Sequence, residues 1–511
     1  MPEVAGVPAI ELVAIDKSFG SVHAVRGVSL AIGKAAITGI VGENGAGKST
    51  LMSILYGLYR ADAGQIRVDG KAVQMESPRD AIAHGIGMVH QHFMLIDTFT
   101  VLENLVLGAE GGPMLAGAMA AARTELARLE REYGLSVDPD ARIADLSVGE
   151  QQRVEILKVL FRGARILILD EPSAVLTPQE TDQLFRILET LKERGVSVVL
   201  ITHKLREIMA ATDRVYVMRQ GQIVADRPTA DTNPEELAEL MVGRKVRLHL
   251  DKTPSRRGDV ALKAEHLSLV DARGVRLLDD VSLELRAGEI VGIAGVSGNG
   301  QTELLQILAG IRSPTSGTLT VRGRTIHAGQ PCDPGEMRDL SLAHVPEDRL
   351  RQGMVAAFRA SETSILGYHD EPPFTRNYIL NSPAVGAHCA SLMEQFDVRP
   401  RLPGLRSANF SGGNQQKLVL AREMARGPKV LLVGQPTRGV DIGAIEFIHR
   451  ELVKSLDAGC AVLVVSVELE EILSLADRVL VMFAGKIVGE IEAGRADERM
   501  LGLMMAGAKA A

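Results

Sequence analysis

Short uninterrupted apolar runs alternate along this chain with longer amphipathic stretches. AAITGIVG (residues 35–42) is apolar and ends in a glycine turn, and KSTLMSILYGL (48–58) continues from that turn as a helix. ARILILDEP (164–172) and VSVVLITH (196–203) have the length and composition of strands buried in parallel sheets. Between them, PQETDQLFRILETLKERG (178–195) sets Leu184, Ile187, Leu188 and Leu191 on one helical face and stops at a glycine. Strand, glycine turn, helix and strand in this order predict an α/β fold.

The pattern occurs twice. AVRGVSL (24–30) is echoed by LLDDVSL (277–283), and TGIVGENGAGKSTLMSIL by VGIAGVSGNGQTELLQIL, at an offset of 253 residues. ADLSVGEQQRVEILKVL matches ANFSGGNQQKLVLAREM at an offset of 264, and that offset persists through TDRVYVMRQGQIV and ADRVLVMFAGKIV. The second copy therefore carries a net insertion of 11 residues between its glycine loop and its FSGGNQQK segment. Two duplicated domains are expected, 1–250 and 260–511, joined by the polar segment DKTPSRRGD (251–259).

Bulk properties narrow the class. The 511 residues are 46% hydrophobic and 24% charged, with a net charge of −7, so no basic excess points to nucleic acid. Cys332, Cys389 and Cys460 form neither a zinc spacing nor a disulfide framework, as expected in a reducing compartment. The opening residues lack the basic flank and apolar core of a secretory signal, and no apolar run approaches the roughly 18 residues of a membrane span. Work at a membrane would need a partner chain.

GENGAGKST, from Gly42 through Glu43, Asn44, Gly45, Ala46, Gly47, Lys48 and Ser49 to Thr50, has the spacing of a phosphate-binding loop. Backbone N–H groups and the helix N-terminus would meet phosphate oxygens, Lys48 would reach the β- and γ-phosphates, and the Ser49 hydroxyl would ligate Mg²⁺. The competing reading is an incidental glycine turn. Asp170 and Glu171 end the next apolar run, where one carboxylate could hold the metal and the other polarise the attacking water; alone, such a pair could equally be a solvated cap on a sheet edge.

LSVGEQQR (146–153) and FSGGNQQK (410–417) resemble the signature motif of ABC ATPases, and the resemblance covers nearly the whole chain. It implies two P-loop NTPase domains, each with a mostly parallel core sheet, an antiparallel β-subdomain and a helical subdomain. It also implies ATP and Mg²⁺, with Asp170, Ser49 and Gln91 at the metal and Glu171 as general base. His203 would touch the γ-phosphate, and Phe19 would stack on adenine. His203 could otherwise be an ordinary strand-end histidine and Phe19 a core aromatic.

The second copy keeps the loop, with Gly295, Gly298, Gly300 and Thr302, but has Gln301 where the first has Lys48. Gly434, Gln435 and Val467 stand where Asp170, Glu171 and His203 stand, and Gln91 falls near Glu347. Loss of the base alone typically costs about 10²–10⁴ in rate. Hydrolysis at this loop should be negligible, while nucleotide binding could survive on the backbone cradle; the plainer reading is a domain kept for packing. In the family, each nucleotide lies between one domain's loop and the other's signature. The intact loop would then face Ser411, Gly412, Gly413 and Asn414. The degenerate loop would face Ser147, Val148, Gly149 and Glu150, where Glu150 places a carboxylate at an anion site or simply caps its helix.

The tandem arrangement with VPEDR and FSGGNQQK resembles the ATPase subunits of bacterial monosaccharide and nucleoside importers. GMVHQHFML, GNGQTEL and ILGYHDEPPFTRNYIL bring it nearer the nucleoside branch, with a monosaccharide such as ribose or galactose as the alternative. The resemblance implies two integral-membrane permease subunits, a solute-binding protein acting through them, and a place on the cytoplasmic face of the membrane. A soluble tandem ATPase acting on ribosomes or DNA usually keeps both ATP sites and carries a long charged linker or zinc fingers. A non-hydrolytic nucleotide sensor is at odds with Glu171 and His203.

Overall fold

The apolar runs form wholly buried strands: Ile37–Val41, Ile166–Asp170 and Ser197–Thr202 expose no residue to solvent. The computed structural model describes residues 6–20, 22–90, 93–108, 115–173, 176, 178–245, 257–296, 298–330, 332–505 and 507, the side chains of 115–118 and 178 excepted. Gln91 and most of the segment 251–259 lie outside these residues.

The chain divides into two compact units, Met1–Val246 and Arg247–Ala511. In the first, a six-stranded sheet runs in the order Gln222–Pro228, Arg214–Arg219, Ile37–Val41, Ser197–Thr202, Ile166–Asp170, Ile86–Val89. All pairings are parallel except that of the Gln222–Pro228 edge strand. A four-stranded antiparallel sheet, Val22–Ile32, Ile10–Phe19, Ala63–Val68 and Lys71–Val73, shares a core with one face of it through Ile10, Leu12, Leu51, Leu55 and Ile168. Three helices, Val101–Val106, Leu115–Tyr133 and Val148–Phe161, make up the helical part. The predicted helix over 178–195 is Pro178–Glu193, with Leu184, Leu188 and Leu191 buried. The helix after the glycine loop is shorter than predicted. It ends at Leu55 because Gly57 turns left-handed (φ 78°) with its α-carbon packed against the Ser77 backbone, where a Cβ would lie 2.4 Å from the carbonyl oxygen.

The second unit repeats the plan, with Ile290–Ala294 between Ala461–Ser466 and Arg478–Phe483 at the centre of its six-stranded sheet. The 11 extra residues are spread over three places. Val89 and Val345 end equivalent strands 256 residues apart, pairing with Leu169 and Val433 respectively, so three residues enter ahead of that strand. Thr100 and Arg359 cap equivalent helices 259 apart, so three more enter around the Arg349–Gly353 π-turn. The last five bring the small hairpin Thr375–Arg376 and Ile379–Leu380. No described helix is long and apolar enough to cross a membrane.

Candidate active site

The glycine loop of the first unit joins the central strand to the helix Lys48–Leu55, so its backbone geometry is fixed from both ends. Gly47 caps that helix at φ 102°, and a Cβ there would lie 2.4 Å from the Ala24 carbonyl oxygen; at Gly42 it would lie 2.2 Å from that of Met218. Gly45, at φ 82°, has nothing near its missing side chain: this is the open mouth of the cradle. Ala46 is buried beneath the loop, whereas Asn44 and Ser49 are exposed and Glu43 and Thr50 half-buried.

Lys48 is buried, and its ammonium donates to the carbonyls of Gly42 (2.7 Å) and Glu43 (3.1 Å). Burial depresses its pKa, against the opposing charges of Glu171, Asp170 and Glu43. A lysine resting on its own loop's carbonyls is poised to exchange them for phosphate oxygens. Asp170, at the strand end, is pushed up by burial against a hydrogen bond from Ser49. A hydroxyl, a buried carboxylate and the ligand's own phosphates are the hard oxygen donors that Mg²⁺ takes, so the donor set fits that ion. Gln91, the third expected ligand, lies outside the described residues.

Glu171 follows in the left-handed region (φ 47°), anchored by its N–H to the Ile201 carbonyl at 2.9 Å. This backbone turn aims the carboxylate at the end of the neighbouring strand, where Glu171 Oε1 meets His203 Nδ1 at 2.9 Å. Burial alone would raise the Glu171 carboxyl. The His203 hydrogen bond, with the charges of His203, Lys48 and Lys204, outweighs it and holds the group below the usual glutamate range. The ordinary strand-end reading of His203 therefore gives way to a paired one. With Glu171 as the expected base, which works deprotonated, the acid limb of activity should extend below the ordinary glutamate pKa. In His203→Ala, burial prevails, and the acid limb of the residual activity, followed by phosphate release against pH, is expected to move upward.

Phe19 is not a core aromatic. It is 43% exposed, packs edge-on against Tyr59 (centroids 5.1 Å apart) and lies under Lys17 Nζ at 5.4 Å. Its free surface suits a stacked base. Tyr59, which supports the ring, carries no motif signal and was not anticipated.

The second unit keeps the backbone of this site with other side chains. Gly300 caps the helix Gln301–Leu308 at φ 101°, and Gly298 is open as Gly45 is. Gln301 Nε2 donates to the Val296 carbonyl at 3.0 Å, the counterpart of the Lys48 bond to Glu43, so the amide keeps the lysine's resting place without its charge. A Cβ at Gly295 would lie 2.1 Å from that same Nε2 and 3.0 Å from the Met482 carbonyl oxygen, so the amide could rest there only by shifting. Gln435 repeats the Glu171 turn (φ 47°, N–H to Val465 O at 2.7 Å), and its Oε1 accepts from the Val467 N–H at 3.3 Å.

Gly434 is not simply a lost carboxylate. A Cβ there would lie 2.5 Å from Glu347 Cγ and 2.9 Å from Leu305 Cδ1. Glu347, two residues past Val345 as Gln91 is two past Val89, has moved into the space, and its carboxylate accepts from Thr302 Oγ1 at 2.6 Å. Restoring the acid as Gly434→Asp is therefore expected to overpack the site at a cost of about 1–3 kcal/mol. It should lower the melting temperature, read by scanning calorimetry, and recover no hydrolysis. The exchange of carboxylates was hidden in the sequence by the uneven insertion; matching the ends of the edge strands reveals it.

The two signatures open helices of different character. In Val148–Phe161, Ser147 Oγ donates to Glu150 Oε2 (2.8 Å) and accepts from the Glu150 N–H (3.3 Å), a closed capping box. Hydrogen bonds from Ser147 hold the Glu150 carboxyl low, so it stays anionic. A Cβ at Gly149 would meet the Glu180 side chain, with Oε1 at 2.6 Å, and Val148 is 38% exposed beside it. In Gly412–Met424, the Ser411 hydroxyl makes no cap bond to the helix backbone, although the Ser411 carbonyl accepts from the Gln415 N–H at 2.9 Å. The hydroxyl accepts from Asn414 Nδ2 at 2.8 Å, while Asn414 Oδ1 takes the Arg399 N–H at 2.6 Å. A Cβ at Gly412 would lie 2.9 Å from the Gly439 carbonyl oxygen and 2.6 Å from Arg349 Nη2, and one at Gly413 2.9 Å from Asp441 Oδ2 and 3.2 Å from Ala444 Cβ. This pole is neutral and presents its N–H groups.

The family profile described as ABC transporter matches residues 25–174 and 278–438. The chain is 44% identical to the nucleoside import ATP-binding protein NupA of Lactococcus lactis subsp. cremoris, over 99% of each chain. It is 45% identical to the guanosine import ATP-binding protein NupO of Bacillus subtilis, over 98% of this chain and 97% of that one. It is 43% identical to the glucose import ATP-binding protein TsgD13 of Haloferax volcanii, over 98% and 96% respectively.

Proposed function

Since this chain belongs to the ABC transporter family, we propose that it is the ATP-hydrolysing subunit that energises nucleoside import through a membrane transporter. The observation that carries the hydrolytic part is the Glu171–His203 contact, a half-buried base held anionic beside a phosphate-type loop and absent from the second copy. The nucleoside part is supported by similarity to proteins named for nucleoside and guanosine import. A glucose importer at 43% identity favours a sugar as the second reading. Uptake of labelled guanosine and glucose by cells lacking this chain separates them: loss of guanosine uptake supports the first, and loss of glucose uptake alone overturns it.

The chain's own groups divide the work as follows. The loop N–H groups from Gly42 to Thr50 and the Lys48 ammonium bind the phosphates, and Phe19 stacks on the base. Ser49, Asp170 and Gln91 would hold Mg²⁺, which supplies charge neutralisation on the phosphoryl oxygens when bound. Glu171 accepts the proton of the water that attacks the γ-phosphorus, and His203 fixes the carboxylate's direction and contacts the γ-phosphate.

One competent site per chain is then built from the first unit's loop and the neutral signature of Ser411, Gly412, Gly413 and Asn414. The other pairs the second loop with Ser147, Val148, Gly149 and Glu150, whose anionic carboxylate opposes a γ-phosphate. It can hold a nucleotide but not hydrolyse it. Closure around ATP and release after hydrolysis would drive two permease subunits, fed by a solute-binding protein, from the cytoplasmic face of the membrane. The boundaries at 250 and 260 and the linker 251–259 belong to the same proposal.

A further inference from the structure

The second loop has lost the lysine charge and the strand-end acid together, yet it has not lost its carboxylate. In the first unit, the loop hydroxyl Ser49 lies near enough to Asp170, at the end of the strand one removed from the loop's own, to hold its pKa down against burial. In the second, the loop hydroxyl Thr302 donates at 2.6 Å to Glu347, which comes from the turn after the edge strand Leu342–Val345. Gly434 vacates the room that this longer side chain fills, since a Cβ there would fall 2.5 Å from Glu347 Cγ. The pair of a helix-first-turn hydroxyl and a half-buried carboxylate is thus rebuilt from a different strand. Gln301 meanwhile keeps the resting contact of Lys48 and contributes no positive charge.

These changes act in one direction. A triphosphate at this loop no longer meets an ammonium from the loop, and it meets the Glu347 carboxylate, whose charge the nearby Arg438 opposes only from outside the loop; a cation between carboxylate and phosphates would remove the repulsion. Mg²⁺ binds through one or two carboxylates completed by substrate phosphates and water. The described residues contain no group of three or more His, Cys, Asp or Glu able to hold a metal without the nucleotide. We infer that Thr302 and Glu347 hold a divalent cation that accompanies the nucleotide at the second loop, so that this loop takes nucleotide only as its metal complex, whereas the first loop, with Lys48, tolerates metal-free nucleotide. The inference rests on the reading above that the second loop holds a nucleotide.

The test uses the full chain carrying Glu171→Gln, so that ATP persists, with Mn²⁺ as the probe. Bound Mn²⁺ is counted by electron paramagnetic resonance and bound labelled ATP by equilibrium dialysis. Two Mn²⁺ and two ATP per chain are expected, falling to one ATP in excess EDTA. Adding Glu347→Gln, which keeps the shape and the Thr302 contact, should weaken one class of Mn²⁺ and ATP by at least about 10-fold; Thr302→Val should do the same. Two undiminished Mn²⁺ in Glu347→Gln, or two ATP in EDTA, would overturn the inference while leaving the second loop a nucleotide site. Tighter ATP binding in Glu347→Gln would instead identify the carboxylate as a block. A single ATP per chain even with Mn²⁺ would remove the underlying reading and the inference with it.

Discussion

Glu171→Gln should lower ATP turnover by about 10²–10⁴-fold, the cost of removing a general base, while Gln435→Ala leaves the rate at the wild-type level. The molecule itself shows that the first change is tolerated. Gln435 already occupies the equivalent left-handed turn at φ 47°, with the same backbone bond to its neighbouring strand. An amide there fits the fold, so the variant should keep its melting temperature and still bind ATP. The loss is chemical: the amide oxygen cannot take the proton from water, and the contact with His203 no longer holds an anion in place. Phosphate release and nucleotide dialysis, measured on both variants, separate turnover from binding. Equal losses of rate in the two variants would mean that both halves hydrolyse.

Moving the first unit's signature into the second is the change expected to rank next. Asn414→Glu creates a Ser-x-x-Glu box at Ser411, ties up the hydroxyl and sets a carboxylate at the helix pole. Gly412→Val adds bulk where even a Cβ would lie 2.6 Å from Arg349 Nη2 and 2.9 Å from the Gly439 carbonyl oxygen. Together they should cost about 10²-fold or more in hydrolysis, the scale of losing a preorganised donor to a developing charge. The reverse pair, Val148→Gly with Glu150→Asn, removes a capping box worth about 0.5–2 kcal/mol and should leave the rate of hydrolysis near that of the parent chain. Asn414→Glu alone, which adds no bulk at the crowded glycine, guards against a folding artefact. A larger loss in the reverse pair than in the forward one would place the working signature in the first unit.

Most of the fold was open to reading because its signals are local and repeated. The apolar runs before Gly42, at Asp170 and at Thr202 are too short for anything but buried strands, and the duplication shows each of them twice. Ser147 and Glu150 announced their cap through spacing alone, and the capping box is present as expected. What stayed hidden depends on contacts between distant segments. The role of Glu347 required knowing that Leu342–Val345 lies beside Val430–Gly434, and that a glycine at 434 leaves space rather than merely lacking an acid. For Phe19 a core aromatic stood against the stacking reading, because an aromatic at a strand end has no periodicity to betray its exposure. Tyr59, its partner, lies in a loop with no motif at all.

The site account stands or falls on asymmetry within one chain. Trapping the hydrolytic state with orthovanadate and a photoreactive ADP, then counting and mapping the label, reads that asymmetry most directly. One trapped ADP per chain, attached to peptides from residues 1–246, is the expected result. Two vanadate-dependent ADP per chain, or labelling of the Gly295–Thr302 loop that requires vanadate, would contradict it.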